Sequence, residues 1–263
     1  MQATIMSRAT ITSNFQQAAV AVPVHTPSFV DLRKFAQDPT QGIAVTAPAG
    51  EDRFLASRRV LDWAPGPVTA GVVTLDAGNG AVQSLAADEF IIVHQGSLTL
   101  TQQGTSLTLG PNQSVILKHG AAFAWSAQGP VSLIFVRYNK SRAGDGAIVP
   151  IRENPEMGPS AGGPSPDLLL TPTPVCRNHT DYKSEDGEFT CGTWDSTPYA
   201  RRAMFFRHME LMFLLEGSVT FVDEAGRSGT FSKGDIFLIE QGASCSWENL
   251  EHVAKLYVIY RPT

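Results

Sequence analysis

The stretch MFFRHMELMFLLEGSVTFVDEAGRSGTFSKGDIFLIEQGASCSWEN, Met204 to Asn249, decides the fold. Its apolar runs are short and are cut by Gly217, Gly226, Gly229, Gly234 and Gly242. Short apolar runs bounded by turn residues are the pattern of strands joined by tight turns, not of helices. One carboxylate, Glu210, stands among side chains that should otherwise be core. A buried carboxylate is costly unless a cation or hydrogen-bond donor faces it, so Glu210 is the first residue to ask about.

A second copy of the pattern lies upstream. Gly71 matches Gly192, Glu89 matches Glu210, Gly96 matches Gly217, Ser97 matches Ser218 and Thr99 matches Thr220, each pair 121 positions apart. After one inserted residue, Gly120 matches Gly242, Ala121 matches Ala243, Trp125 matches Trp247, Val131 matches Val253 and Tyr138 matches Tyr260, each 122 apart. The chain is an internal duplication of one all-β module. Between the copies, residues 140–174 hold Pro150, Pro155, Pro159, Pro164, Pro166, Pro172 and Pro174. Proline removes a ladder donor, so this segment is expected to be a linker, with Leu168 to Leu170 as a short edge element at most. The expected organisation is a flexible tail at 1–28, a first domain at 29–139, the linker at 140–174 and a second domain at 175–263.

Composition agrees with a turn-rich β protein. Only 17% of the 263 residues are charged, below the roughly 25% usual for soluble chains. The net charge of −5 and the lack of a Lys/Arg cluster exclude a phosphate-neutralising surface, so nucleic acid is not an expected partner. No apolar run approaches the roughly 20 residues of a spanning helix. The run AAVAVPV at Ala18 to Val24 is short and interrupted by Pro23, which is weak for a signal peptide. Cys176, Cys191 and Cys245 are odd in number and lack metal-type spacing. Free thiols in a reducing cytosol, and so a cytoplasmic location, are the expectation.

These residues resemble the cupin superfamily, and within it the subgroup of ureidoglycine aminohydrolase-like and ethanolamine-utilisation-type cupins. Glu210 to Gly217, and Glu89 to Gly96, fit the Glu, six residues, Gly ending of the first cupin motif. Gly234, Gly242 and Asn249 fall on the register of the second motif, with Glu240 at its Pro position and Cys245 at its His position. Leu215 to Gly217, Gly234 and Asp235, Ser246 and Trp247, and the closing Lys255 to Tyr260 carry the subgroup likeness. The resemblance implies an all-β chain of two tandem double-stranded β-helix (jelly-roll) barrels, a bicupin. It leaves the reaction open, because this fold hosts many chemistries.

The resemblance also implies a metal site of two His in an HxH pair, the Glu and the His of the second motif. Where the HxH pair belongs, this sequence has Ala203, Met204, Phe205 and Phe206. His208, two residues before Glu210, shares its strand face. His208, Glu210 and Cys245 would therefore form the candidate set for a divalent ion such as zinc, manganese or iron. Alternatively His208 is a hydrogen-bonded structural group and Cys245 a small buried hydrophobe. Glu210 is either neutralised by an internal cation or serves as a general base or ligand anchor. Arg202, on the same face if the strand is regular, and Lys255 are the candidate cations. Met204, Phe206, Trp247 and Tyr257, with Trp194, are core residues that can also wall a ligand pocket in the barrel mouth.

In the first module Glu89 persists, but Ser84 to Ala87 supply no His and Phe123 stands at the place of Cys245. That barrel is expected to be a structural or dimerising copy filled with side chains. Three readings follow for the whole: a bicupin binding a small polar or carboxylate-bearing metabolite in the second barrel, a metal-dependent aminohydrolase of nitrogen metabolism, and a non-catalytic structural or interaction protein. A homodimer fits each of them.

Overall fold

The computed structural model describes residues 25–160 and 163–263. The expected tail at 1–28 therefore lies mostly outside the described residues. Its last four residues are tied down: Ser28 is buried, its hydroxyl donates to Asp223 (2.6 Å) and its backbone N–H donates to Glu240 (3.2 Å).

Two seven-stranded and two four-stranded antiparallel sheets make up the molecule. Each repeat contributes one of each, closing into a jelly-roll barrel. In the first, the large sheet centres on Asp88–Gln95, Val131–Tyr138 and Val68–Leu75. In the second, Met209–Glu216, Val253–Tyr260 and Phe189–Ser196 take the same places. The small sheet of the first barrel holds Gly78–Val82, Phe123–Ala127, Leu98–Gln102 and Thr105–Leu109; that of the second holds Tyr199–Phe205, Ser244–Asn249, Ser218–Val222 and Ser228–Ser232.

The strand MELMFLLE shows why both faces of a large sheet must be covered. Met209, Leu211 and Phe213 enter one apolar cluster, whereas Met212 and Leu214 enter another. The first of these clusters also contains Phe90, Ile92, Ile134 and Val136 of the other repeat. The two large sheets thus pack back to back, each with its other face toward its own barrel interior. A strand buried on both faces reads as a continuous apolar run rather than an alternating one. The repeat-related Tyr138 and Tyr260 meet in this layer, with ring centroids 5.6 Å apart, so the barrels face each other about a pseudo-two-fold axis.

The glycines shared by the repeats are turn residues with no room for a side chain. Gly96 and Gly217 both have positive φ, and a Cβ would lie 2.3 Å from the Pro130 carbonyl oxygen or 2.2 Å from that of His252. No other residue fits such a position without moving the neighbouring strand.

The expected domain boundaries need correction. Phe29–Asp31 does not join the first barrel; it pairs with Ile236–Ile239 at the edge of the second barrel's large sheet. Within the expected linker, Ile148–Pro150 pairs with Ser114–Leu117 of the first barrel, and Gly158–Pro159 pairs with Cys176–Lys183 of the second. Since Ile236–Ile239 is the repeat equivalent of Ser114–Leu117, the two barrels exchange strands. The segment leading into each repeat completes the sheet of the other. Pro150 is tolerated because it lies on the outermost strand, where the missing donor is not needed.

Arg33, on the short helix Leu32–Gln37, fastens this exchange. Its guanidinium donates to the Gly234 carbonyl of the second barrel (2.6 Å) and to Asn112 of the first (2.6 Å). Asp31 caps the helix by accepting from the Lys34 N–H. No helix among the described residues is long and apolar enough to cross a membrane.

Candidate functional site

A cavity of about 380 Å³ opens into the second barrel. Its floor is built by the large sheet. Glu210 reaches in from Met209–Glu216 and Lys255 from Val253–Tyr260, with 2.9 Å between Nζ and Oε1. His208 sits beside them, Nε2 3.3 Å from the other carboxylate oxygen. The Lys255 ammonium lies over two indoles, 4.7 Å from the Trp194 centroid and 4.9 Å from that of Trp247, and 3.3 Å from the Met212 sulfur. Burial alone would push the Glu210 carboxyl up, but Lys255 and His208 outweigh it and hold the group down at about 2. Glu210 is a carboxylate at every ordinary pH, which makes it a weak proton acceptor and a strong anchor for a cation.

The walls and mouth come from the small sheet, the connector and Tyr257 of the large sheet. Tyr199, Arg201, Met204 and Phe206 line one side, Trp247 and Tyr257 another, and Ser160, Gly163, Pro164 and Ser165 border the opening. Tyr199 stacks on Trp247 at 5.6 Å, and Arg201 lies over the Phe206 ring at 5.5 Å. Arg201 is 5% exposed, and its guanidinium donates to the backbone carbonyls of Cys245 (2.9 Å) and Arg202 (3.1 Å). Among the described residues no carboxylate forms an ion pair with it.

Seven of the nine expected pocket residues line this cavity: Met204, Phe206, His208, Glu210, Trp247, Lys255 and Tyr257. Arg202 and Cys245 do not. Arg202 is exposed, and Arg201 takes the inward position. The cause is a β-bulge: Arg201 pairs with Trp247 and Met204 with Cys245, so three steps on one strand oppose two on the other. The extra residue reverses which of the two arginines faces inward. Two arginines in a row carry no sign of which way such a bulge turns them. Tyr199 and Asn178, which also line the cavity, are not marked by the motif register at all.

Cys245 packs with Phe221, Phe237 and Trp247 in the apolar cluster and is fully buried. Burial pushes its thiol up to about 11, so it is held as a neutral thiol. The candidate set His208, Glu210 and Cys245 is accordingly not gathered, and among the described residues no three His, Cys, Asp or Glu side chains are placed to hold a metal ion. The residues do not fit a resident divalent ion, because a side-chain ammonium already stands on the carboxylate such an ion would need.

The Asn of the second motif is structural. Asn249 accepts from the Trp247 indole N–H (2.8 Å) and donates to the Glu251 carbonyl (2.7 Å). Glu240, standing at the motif's Pro position, receives the backbone N–H of Ser28 and contacts His25 at 2.7 Å, so it anchors the exchanged strand.

The first barrel treats its carboxylate differently. Glu89 is completely buried and clamped by Arg58 through two hydrogen bonds (2.8 and 2.9 Å) and by Arg137 (2.7 Å). Phe54, from the helix Arg53–Ala56, meets Phe123 edge-on at 5.3 Å within a cluster that also includes Leu85 and Trp125.

With the geometry in place, likeness to known proteins narrows the class. Residues 183–257, most of the second barrel, match the family model of the EutQ-like cupin domain. A protein of unknown function from Pseudomonas syringae pv. tomato is 28% identical with a TM-score of 0.78, covering 89% of this chain and 100% of its own. A cupin 2 conserved barrel domain protein from Leptotrichia buccalis is 9% identical with a TM-score of 0.56, over 91% of this chain and 99% of its own. A salicylate 1,2-dioxygenase from Pseudaminobacter salicylatoxidans is 13% identical with a TM-score of 0.51, over 95% and 90%. At those identities the last two share the fold alone. No match was found among the curated proteins.

Proposed function

We propose that this two-barrel cupin binds a small carboxylate-bearing metabolite in its second barrel, with Arg201 as the anchor of the anion. The observation that supports it is a charge imbalance. Lys255 already neutralises Glu210, while Arg201 is buried at the same cavity, donates to two backbone carbonyls and, among the described residues, has no carboxylate within ion-pair distance. Burial lowers the Arg201 pKa, with Tyr199 and the more distant Glu210 opposing it only in part, and a buried cation lacking an ion-pair partner is costly. An entering carboxylate would complete the guanidinium, which is built to receive one in bidentate fashion. The aromatic wall of Tyr199, Phe206 and Trp247 would hold the apolar remainder of the ligand.

The open cavity weighs against the purely structural reading for this half of the chain, and the donor set weighs against a metal-polarised hydrolysis. The activity, if the ligand is turned over, has to be carried by Glu210, His208 and Lys255. A cytoplasmic location and a homodimer belong to the same proposal.

The test is a calorimetric and thermal-shift comparison of small mono- and dicarboxylates on wild type, Arg201→Gln and Arg202→Gln. At least one carboxylate should stabilise wild type and lose about tenfold or more in affinity in Arg201→Gln, the expected scale for removing a charged partner. Arg202→Gln should bind as wild type does. Equal affinities in wild type and Arg201→Gln would sink the proposal.

A further inference from the structure

We infer that Lys255 is the resident cation of the second barrel, standing on Glu210 in place of a divalent metal. The inference concerns the floor of the cavity and does not depend on which anion the cavity takes. Three observations carry it.

The first is occupancy. The ammonium is 2.9 Å from Glu210 and lies against two indole rings set nearly at right angles to each other. A metal bound to that carboxylate at about 2.0–2.2 Å would stand against a fixed positive charge. Cation–π contacts to the two rings keep the ammonium from swinging away, since leaving would forfeit both along with the ion pair.

The second is the donor set. His208 is the only imidazole at the carboxylate, and the neutral, buried Cys245 thiol does not line the cavity. One nitrogen and one carboxylate are too few for a tightly bound transition metal.

The third comes from the other repeat. Glu89, at the position of Glu210, is also closed by protein cations, yet from unrelated places. Leu133 stands where the second barrel has Lys255, and Ile259 stands where the first has Arg137, both pairs 122 apart. Arg58 and Arg137 thus solve in one barrel what Lys255 solves in the other. Two independent arrangements on one carboxylate position indicate that a side-chain cation is what this chain's barrels require there.

The test uses untagged full-length protein, stripped with chelator and then offered Co²⁺, with visible absorption and metal content after gel filtration as readouts. Wild type should retain less than about 0.1 equivalent, whereas Lys255→His, which adds a third N/O ligand to His208 and Glu210, should retain about one equivalent and show cobalt bands. Adding Glu210→Gln to that variant should abolish the bands. The inference is overturned if wild type holds about one equivalent that Glu210→Gln removes. It is equally overturned if Lys255→His keeps the wild-type circular dichroism spectrum and stays free of cobalt. Should Lys255→His fail to fold, the comparison of wild type with Glu210→Gln still decides.

Discussion

Glu89 and Glu210 occupy the same position in two copies of one module, and their surroundings have diverged as far as a shared fold allows. In the first barrel two arginines and a phenylalanine-bearing helix use up the interior. In the second, one lysine does the neutralising from the strand equivalent to that of Arg137 but four positions earlier along it, while Asn178 and Ile259, close to where the first barrel has Arg58 and Arg137, carry no charge. The filled barrel thus closes its carboxylate with two arginines, and the open one with a single lysine placed elsewhere on the equivalent strand. The carboxylate itself is constant and is poor evidence of function; the hole beside it is the informative feature.

The largest expected effect tests the filled half. Arg58→Ala removes a bidentate partner from a fully buried carboxylate, and breaking a buried pair in this way typically costs about 3–5 kcal/mol. Urea unfolding should show a lower midpoint for Arg58→Ala than for Arg201→Gln, whose side chain borders open space. The reverse order would mean that the first barrel tolerates an uncompensated charge better than the second, and the contrast drawn between them would fail.

Acid should act on both carboxylates. Glu210 is lowered from 4.5 to about 2, and Glu89 is lowered by Arg58 and Arg137 against the opposing effect of burial. A depressed folded-state pKa means that the unfolded chain takes up the proton first. The stabilisation is thus complete above about pH 4.5 and is lost as pH falls toward 2, with Glu210 contributing about 3 kcal/mol. In Glu210→Gln the fall in melting temperature between pH 5 and pH 3 should be shallower than in wild type. An unchanged slope would show that Glu210 is not held by its neighbours.

A transplant gives the smallest change in stability and sharpens the comparison most. Ile259→Arg places an arginine at the position equivalent to Arg137, on a strand that pairs with Glu210. The added side chain should enter the cavity and approach Glu210, changing stability by about 1–3 kcal/mol through crowding. Carboxylate binding should be abolished. Retained binding would mean that the ligand does not occupy this cavity.

Much of the fold was legible in the sequence, because the repeat is written in residues with steric duties. Gly96 and Gly217 are required by positive φ and by a carbonyl oxygen a Cβ would strike. The unbroken MELMFLLE also states that both faces of its strand are covered. Part of the site was legible: Met204, Phe206, His208 and Glu210, at alternate positions, all line the cavity, although the chain leaves the strand Tyr199–Phe205 and enters Met209–Glu216 between them. Arg201 was not, since a bulge between it and Met204 reverses parity and leaves no mark in composition. The ends of the repeats were hidden for a different reason. Phe29–Asp31 and Ile148–Pro150 are short, and which barrel they join is decided by partners more than one hundred or about thirty residues away. Proline density argued against pairing, but an outer strand has no use for the donor that proline lacks.

The reciprocal exchange of those two strands makes the halves of this chain inseparable. Excising 175–263 would strip Phe29–Asp31 from the edge formed by Ile236, Phe237, Leu238 and Ile239. What remains is a bare apolar strand with free backbone groups, a template for aggregation. The exchange therefore sets the unit of unfolding and of inheritance at the whole tandem, and the ligand proposed beside Arg201 would stabilise the closed first barrel along with the open second one. In that sense the first barrel, its interior packed with side chains, is the counterweight that lets the second keep a cavity.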